Sequence, residues 1–121
     1  MSKQATVHVG VGSAPEALER FVQTWKRAER GEEIEPEVRL SYPDFETLHR
    51  VLTPRRMALL RALRQAGPQS VRTLASHLER DYKNVHTDVA ELEAADLILR
   101  TEAGLIEAPW DVIDSRYSLV A

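Results

Sequence analysis

The sequence predicts an α+β fold, and three observations carry that prediction. Two short amphipathic segments follow each other in the second half of the chain, a pair of short apolar runs comes directly after them, and valines alternate near the N-terminus. Apolar residues that recur about every 3.6 positions indicate a helix, whereas apolar residues at every second position indicate a strand. At 121 residues the chain is long enough for one core and too short for two ordinary domains.

The N-terminal part is predicted to form a strand, a helix and a second strand. Val7, Val9 and Val11 alternate with His8 and Gly10, which is typical of a strand with one buried face. The helix that follows is predicted from a capping box and an apolar stripe. The box is formed by Ser13 and Glu16, and the stripe by Leu18, Phe21, Val22, Trp25 and Ala28. Because it lies on this stripe, Trp25 is expected to be a core residue.

A short strand and two helices are expected next. The run 38–42 has the pattern of a strand, and 45–51 that of a short helix. A longer helix is predicted to reach about Ala66, because Thr53 can cap it and Pro54 suits its first turn.

Two further helices joined by a tight turn are predicted after residue 69. Ser70 can cap the first helix, and Asp81 can cap the second, which reaches about Ala95. Glu79 and Arg80 form the turn between them. The buried stripe of the second helix is predicted to comprise Val85, Val89 and Leu92.

The second of these helices carries donors and small residues opposite its buried stripe. At about 100° per residue, this outer side is formed by Lys83, Thr87, Ala90 and Ala94, flanked by Asn84, His86 and Glu91. A helix that enters the major groove of DNA needs donors in its N-terminal half and small residues where it approaches closely. The pattern therefore favours double-stranded DNA as the partner.

Two apolar runs, 97–100 and 105–108, are separated by a short polar turn and predict a β-hairpin. Such a hairpin after two helices is the wing of a winged helix-turn-helix. We therefore divide the chain into a winged helix-turn-helix domain at 46–121 and an N-terminal strand-helix-strand extension at 1–45. A C-terminal strand is expected at 111–120. The extension is predicted to be a dimerisation or partner surface, and the alternative is a winged helix used only for protein contacts.

The charge distribution supports a DNA-binding surface although the net charge is -3. Residues 1–52 hold seven basic and nine acidic residues, which gives this segment a net charge of -2. Residues 53–87 hold seven basic and two acidic residues, a net charge of +5. Residues 88–121 hold two basic and eight acidic residues, a net charge of -6. Local fields, more than the total charge, set affinity for phosphate. The positive segment is the one predicted to meet DNA.

Composition and spacing disfavour several other function classes. The chain has no cysteine, no apolar run of about 20 residues and no signal-peptide core, so a cytoplasmic protein without membrane contact is expected. Its four histidines lack ligand spacing, and the Gly-Val-Gly at 10–12 lacks the rest of a nucleotide fingerprint. We expect no enzymatic activity, no metal site and no cofactor.

The string RDYKNVH at 80–86, followed by Asp88-Val89, resembles a family of small prokaryotic predicted DNA-binding proteins, winged-helix regulators akin to the MarR group. The segments 52–56 and 92–98 add to the resemblance, which covers about residues 46–119. It implies transcriptional regulation, and some proteins of this type act as antitoxins that repress their own operon. The resemblance implies a DNA face formed by Tyr82, Lys83, Asn84, His86 and Thr87.

The chain departs from this resemblance at Asp96. Winged helices of this sort usually have glycine there, where the chain leaves the recognition helix in a left-handed conformation. Asp tolerates that conformation less well than Gly, at a cost on the order of 1 kcal/mol. The wing is still expected to form.

The expected function is a dimeric, sequence-specific, double-stranded DNA-binding transcriptional regulator, with repression as the expected mode. Four residues are predicted to contact bases in the major groove: Lys83, Asn84, His86 and Thr87. Four more are predicted to contact the DNA backbone: Ser70, Tyr82, Arg72 and Arg80. Arg100 on the wing is predicted to contact either the neighbouring minor groove or the backbone. An alternative is an antitoxin that neutralises a toxin protein through the extension or the acidic segment 88–121. A third possibility is a ligand-responsive repressor with a pocket beside the N-terminal helix.

Overall fold

The computed structural model of the protein describes residues 5–12, 14–34, 38–117 and 119. Its fold is α+β. The described elements are, in chain order, β1 Thr6–Val11, α1 Ala14–Glu29, β2 Val38–Tyr42, α2 Phe45–Val51, α3 Pro54–Ala66, α4 Val71–Leu78, α5 Tyr82–Ala94, β3 Leu99–Arg100, β4 Ile106–Glu107 and β5 Val112–Arg116. The predicted cap Ser13 lies outside the described residues, as do 118 and 120 of the predicted C-terminal strand.

Helix starts follow the side chains that can cap them. Thr53, Ser70 and Asp81 each accept a hydrogen bond from a main-chain N–H two or three residues ahead, as predicted. Such caps satisfy donors that have no partner within the helix. The bounds of α3 and α4 therefore coincide with the predicted helices, and α5 ends at Ala94, one residue earlier than expected.

A three-stranded parallel sheet joins the two ends of the chain. Its strand order is β2-β1-β5, so β1 is the central strand. Along one edge of β1, Thr6 lies opposite Val112 of β5, and along the other edge Val7 lies opposite Val38 of β2. The C-terminal strand thus pairs with the N-terminal strand of the same chain.

The predicted hairpin is present but shorter than the apolar runs suggested. The strands β3 and β4 pair antiparallel over two residues each. Leu97 and Ile98, which were expected in the first strand, are instead fully buried where the chain leaves α5, and both of their main-chain N–H groups bond to the carbonyl of Leu92. Gln69 adds a bridge to Ile106, so a third chain segment borders the hairpin.

One hydrophobic core connects the sheet to the helices. Val7 and Val9 of β1 belong to the same buried cluster as Leu63 of α3 and Val89 of α5. Trp110 is half-buried and packs against this cluster. None of the helices in the described segments has both the length and the apolar character needed to cross a bilayer.

The prediction that Trp25 is a core residue is wrong. Its side chain is 58% exposed, and from Pro15 to Glu29 every residue of α1 is exposed except the half-buried Arg20. The physical reason lies in the sheet beside α1. The side of α1 that faces the sheet is the polar one, because Glu16 and Arg20 line the cleft between them together with His8 and Arg39, so the stripe with Trp25 faces away.

Candidate nucleic-acid interface

The predicted outer side of α5 is exposed, and its inner side is buried. Val85, Val89 and Leu92 are at most 1% exposed, so they fix the rotation of the helix about its axis. Seven residues that the sequence placed on the outer side or its flanks are exposed: Lys83, Asn84, His86, Thr87, Ala90, Glu91 and Ala94. The start of α5 therefore presents a cation, an amide and an imidazole together.

Thr87 differs from the prediction in the group that it presents. Its hydroxyl donates a hydrogen bond of 3.0 Å to the main-chain carbonyl of Lys83. The donor is therefore already used within the helix. What remains available is the acceptor capacity of the oxygen and the methyl group, which suits an apolar contact such as that with a thymine methyl.

Three predicted site residues come together where α4 meets α5. The guanidinium of Arg72 lies 4.7 Å from the ring centroid of Tyr82, and the Tyr82 ring lies 5.8 Å from that of His86. A guanidinium over an aromatic face is attracted by the ring quadrupole. This stack orients Arg72 at the start of α5, with all three side chains exposed.

The sequence did not predict the ion-pair network under α5. The carboxylate of Asp88 accepts from Arg56 at 3.1 Å and from Arg80 at 2.7 Å, with side chains 13 to 19% exposed. Arg56 also donates to the carbonyls of Arg50 and Val51 at the end of α2. Arg80, predicted to contact phosphate, thus lies largely covered in this network. The sequence did contain an indication of this network, because a carboxylate next to the buried stripe of Val85 and Val89 needs a cationic partner.

Ser70 and Arg100 serve local structure at the two ends of the candidate interface. The hydroxyl of Ser70 accepts from the N–H of Thr73 and donates to its hydroxyl oxygen at 2.9 Å. Arg100 pairs with Glu93 at 3.2 Å and donates to the carbonyl of Gly104 at 3.0 Å. Arg100 therefore fastens the hairpin to the end of α5. Within the described residues, no hydrogen bond or ion pair joins the side chain of Ser70 or Arg100 to Arg72, Tyr82 or His86.

The cations of α3 and α5 differ in whether an acid pairs with them. Arg55 and Arg61 of α3 are exposed and form no ion pair within the described segments, and Lys83 on α5 is likewise unpaired there. Arg64 is held by Asp111 instead. No group of three or more His, Asp or Glu side chains in the described parts of the chain is arranged to hold a metal ion.

Comparison with known proteins identifies a family for this chain. No curated protein and no solved structure matches the chain. The model of the family HVO_A0114 matches residues 51–115, which is more than half of the chain. The matched span runs from the end of α2 into β5 and contains the whole candidate interface, whereas β1, α1 and β2 lie before it. The chain therefore belongs to the HVO_A0114 family.

Proposed function

We propose that the protein is a sequence-specific, double-stranded DNA-binding transcriptional regulator that acts as a homodimer, with repression as its mode. The observation that carries the proposal is the asymmetry of α5. Its inner side is fixed by buried apolar residues and by the Asp88 network, while its outer side is exposed and carries groups suited to base edges. In this proposal α3, α4 and α5 with the β3–β4 hairpin form a winged helix-turn-helix.

The roles in this proposal follow from the contacts. Lys83, Asn84 and His86 would contact base edges, and Thr87 would offer its methyl group. Arg72, held over Tyr82, would meet phosphate. Arg80 would fix α5 in place from beneath, since its guanidinium is paired with Asp88. Arg100 would hold the wing at a set distance from α5.

The base-contact role can be tested by DNA affinity. After a selected binding site is obtained from a random duplex library, Lys83→Ala and Thr87→Ala should each weaken binding to that site by about 1 to 3 kcal/mol, with little effect on unrelated duplexes. Gln65→Ala is the control, because Gln65 is an exposed residue of α3 and lies on neither α1 nor α5. Affinity unchanged by both α5 substitutions would reject this face.

A phosphate contact by Arg72 predicts a different effect on DNA affinity. Arg72→Ala should weaken binding to all duplexes about equally, and it should reduce the slope of log affinity against log salt by about one. Fluorescence anisotropy over a salt series measures both quantities. A sequence-dependent loss would instead place Arg72 among the base contacts.

A second candidate function is an antitoxin or protein-interaction module that neutralises a toxin. It is favoured by the acidic segment 88–121, in which Glu91, Glu102 and Asp114 are exposed, since an acidic surface complements a basic site on a partner. The two functions are compatible in one protein. Copurification of the product of an adjacent gene, toxic when expressed alone, would support this candidate, and a solitary gene without a copurifying product would count against it.

A further inference from the structure

The apolar face of α1 has no partner within the described chain. The face, called here the α1 stripe, consists of Leu18, Phe21, Val22 and Trp25, which are 63, 64, 36 and 58% exposed. Contiguous apolar patches of this kind on a folded protein mark interaction sites. Leu18 and the two aromatic residues are among the most exposed large hydrophobic side chains described.

The chain itself fixes the outward direction of the stripe. The opposite side of α1 carries Glu16 and Arg20, and these side chains line a cleft of about 480 Å³ against the sheet. The sheet contributes His8, Arg39 and Arg116 to the same cleft. Because the side of α1 that carries Glu16 and Arg20 faces this cleft, the stripe on the opposite side faces away from the fold.

We propose that the stripe is covered by α1 of a second copy of this chain, packed antiparallel about a two-fold axis. The spacing of the stripe, at positions 18, 21, 22 and 25, is the same in both directions along the helix. In a two-fold antiparallel pair, Leu18 therefore faces Trp25 of the second copy. Phe21 and Val22 lie on opposite sides of the stripe, so the two Phe21 rings meet each other close to the axis, and the two Val22 side chains do the same. Trp25 is thus paired with a smaller side chain, and the two Phe21 rings form an aromatic pair.

The charges beside the stripe also favour the antiparallel orientation. Glu19 and Lys26 are seven residues apart, so they lie on the same flank of the stripe. An antiparallel two-fold axis sets that flank against itself, and it places Glu19 within about 3 Å, along the helix axis, of Lys26 of the second copy. The contact occurs twice. A parallel pair would set the charged flank against Ala17 and Thr24, so neither charge would be compensated.

Trp25 can be buried in such an interface without losing a hydrogen bond. Its indole N–H donates to Glu29 of the same helix at 2.7 Å, and its ring lies 6.5 Å from the ring of Phe21. The polar atom of the ring is thus satisfied before association, and a buried indole normally needs such a partner. The inference rests on the homodimer of the proposed function, and it is independent of the DNA-binding part.

The proposal that a second copy of the chain covers the α1 stripe can be tested by sedimentation of the full chain. The wild type should be a dimer at micromolar concentration, and Phe21→Gln combined with Trp25→Gln should raise the dimer dissociation constant roughly hundredfold or more. Phe45→Gln is the control, because it removes a 51% exposed aromatic residue from α2 and should leave the dimer intact. Circular dichroism should show the double variant folded. A monomeric wild type, or a double variant that dimerises normally, would overturn the proposal.

The orientation can be tested by cross-linking, because the chain has no cysteine. A mixture of Glu19→Cys and Lys26→Cys chains should be joined by a short bis-maleimide in higher yield than either variant alone. Failure of the mixture to exceed the single variants would reject the antiparallel arrangement. DNA affinity for a single half-site should survive loss of the dimer, so failure of this inference is distinguishable from failure of DNA binding.

Discussion

Asp88 is the residue that connects the candidate DNA-contacting helix to its surroundings. Its two carboxylate oxygens accept from different arginines, one at the start of α3 and one in the turn before α5. Arg56 then reaches the end of α2 through two carbonyls. A single carboxylate therefore fixes three chain segments relative to α5, with only 13% of its side chain exposed.

Removing this carboxylate should be costly. Asp88→Asn leaves two largely covered guanidinium groups without their counter-charge, so we expect the free energy of unfolding to fall by about 2 to 4 kcal/mol. Urea denaturation followed by circular dichroism measures the change. Glu93→Gln is the matched control, since it breaks a more exposed pair with Arg100 and should cost no more than about 1 kcal/mol. Equal effects of the two substitutions would contradict the anchoring role of Asp88.

The periodicity of α5 was sufficient to predict which residues point outward, including Lys83 and His86. It was insufficient for Arg80, which was expected at the surface but pairs with Asp88. Periodicity assigns a residue to a side of a helix, and it contains no information about a partner such as Arg56, 32 positions away. The exposed or covered state of an arginine in a turn depends on such a partner.

At the scale of elements, the junction between α5 and the hairpin contains a strained residue. Asp96 has φ of 62°, in the left-handed region, as predicted from the resemblance. Its carbonyl accepts from the Trp110 indole at 3.4 Å. The contacts at this junction therefore use the main chain of Asp96 and hold it in a conformation that an aspartate side chain disfavours.

Asp96→Gly should stabilise the protein. Glycine adopts positive φ without steric cost, and the Trp110 contact uses a carbonyl that remains, so the free energy of unfolding should rise by about 0.5 to 1 kcal/mol. Ala90→Gly is the control, at an exposed position inside α5, and it should lower the same quantity by about 1 kcal/mol. Both are read from thermal or urea unfolding. A destabilising Asp96→Gly would show that the aspartate side chain itself supports the junction.

Helices were predictable at this scale, because caps such as Thr53 and Ser70 act within three residues. The strands of the hairpin were harder to predict from the sequence. The run 97–100 is apolar throughout, and a continuous apolar run is equally compatible with a buried strand and with the buried exit from a helix. Leu97 and Ile98 take the second role, because the left-handed turn at Asp96 directs them into the core.

At the scale of the whole molecule, the fold depends on pairing between the two ends of the chain. β1 is the central strand, and β5 joins it from more than 100 residues away. Alternation in the sequence predicted that β1 has a buried face, but it did not identify the strands on either side. The same limit explains the error at Trp25, since an apolar stripe predicts burial without stating whether its own chain or another chain covers it.

Asp111 fixes this long-range pairing, and its role should depend on pH. The carboxylate accepts from the N–H of Ala5 at 2.9 Å and from Arg64 of α3. The bond from Ala5 and then those from Arg64 hold the pKa of Asp111 below its ordinary value of 3.8. A carboxyl whose pKa is lower in the folded state stabilises the fold fully above its ordinary pKa, and it loses that contribution as the pH falls through the folded value.

Asp111→Asn should therefore be less stable than the wild type at pH 7, and the difference should shrink as the pH is lowered below about 4. Thermal unfolding over a pH series measures this convergence. Glu102→Gln, at an exposed residue of the hairpin turn, should leave the pH dependence unchanged. A stability difference that stayed constant down to pH 2 would mean that the ionised carboxylate does not hold β1 to β5, and that main-chain pairing alone joins the two ends of the chain.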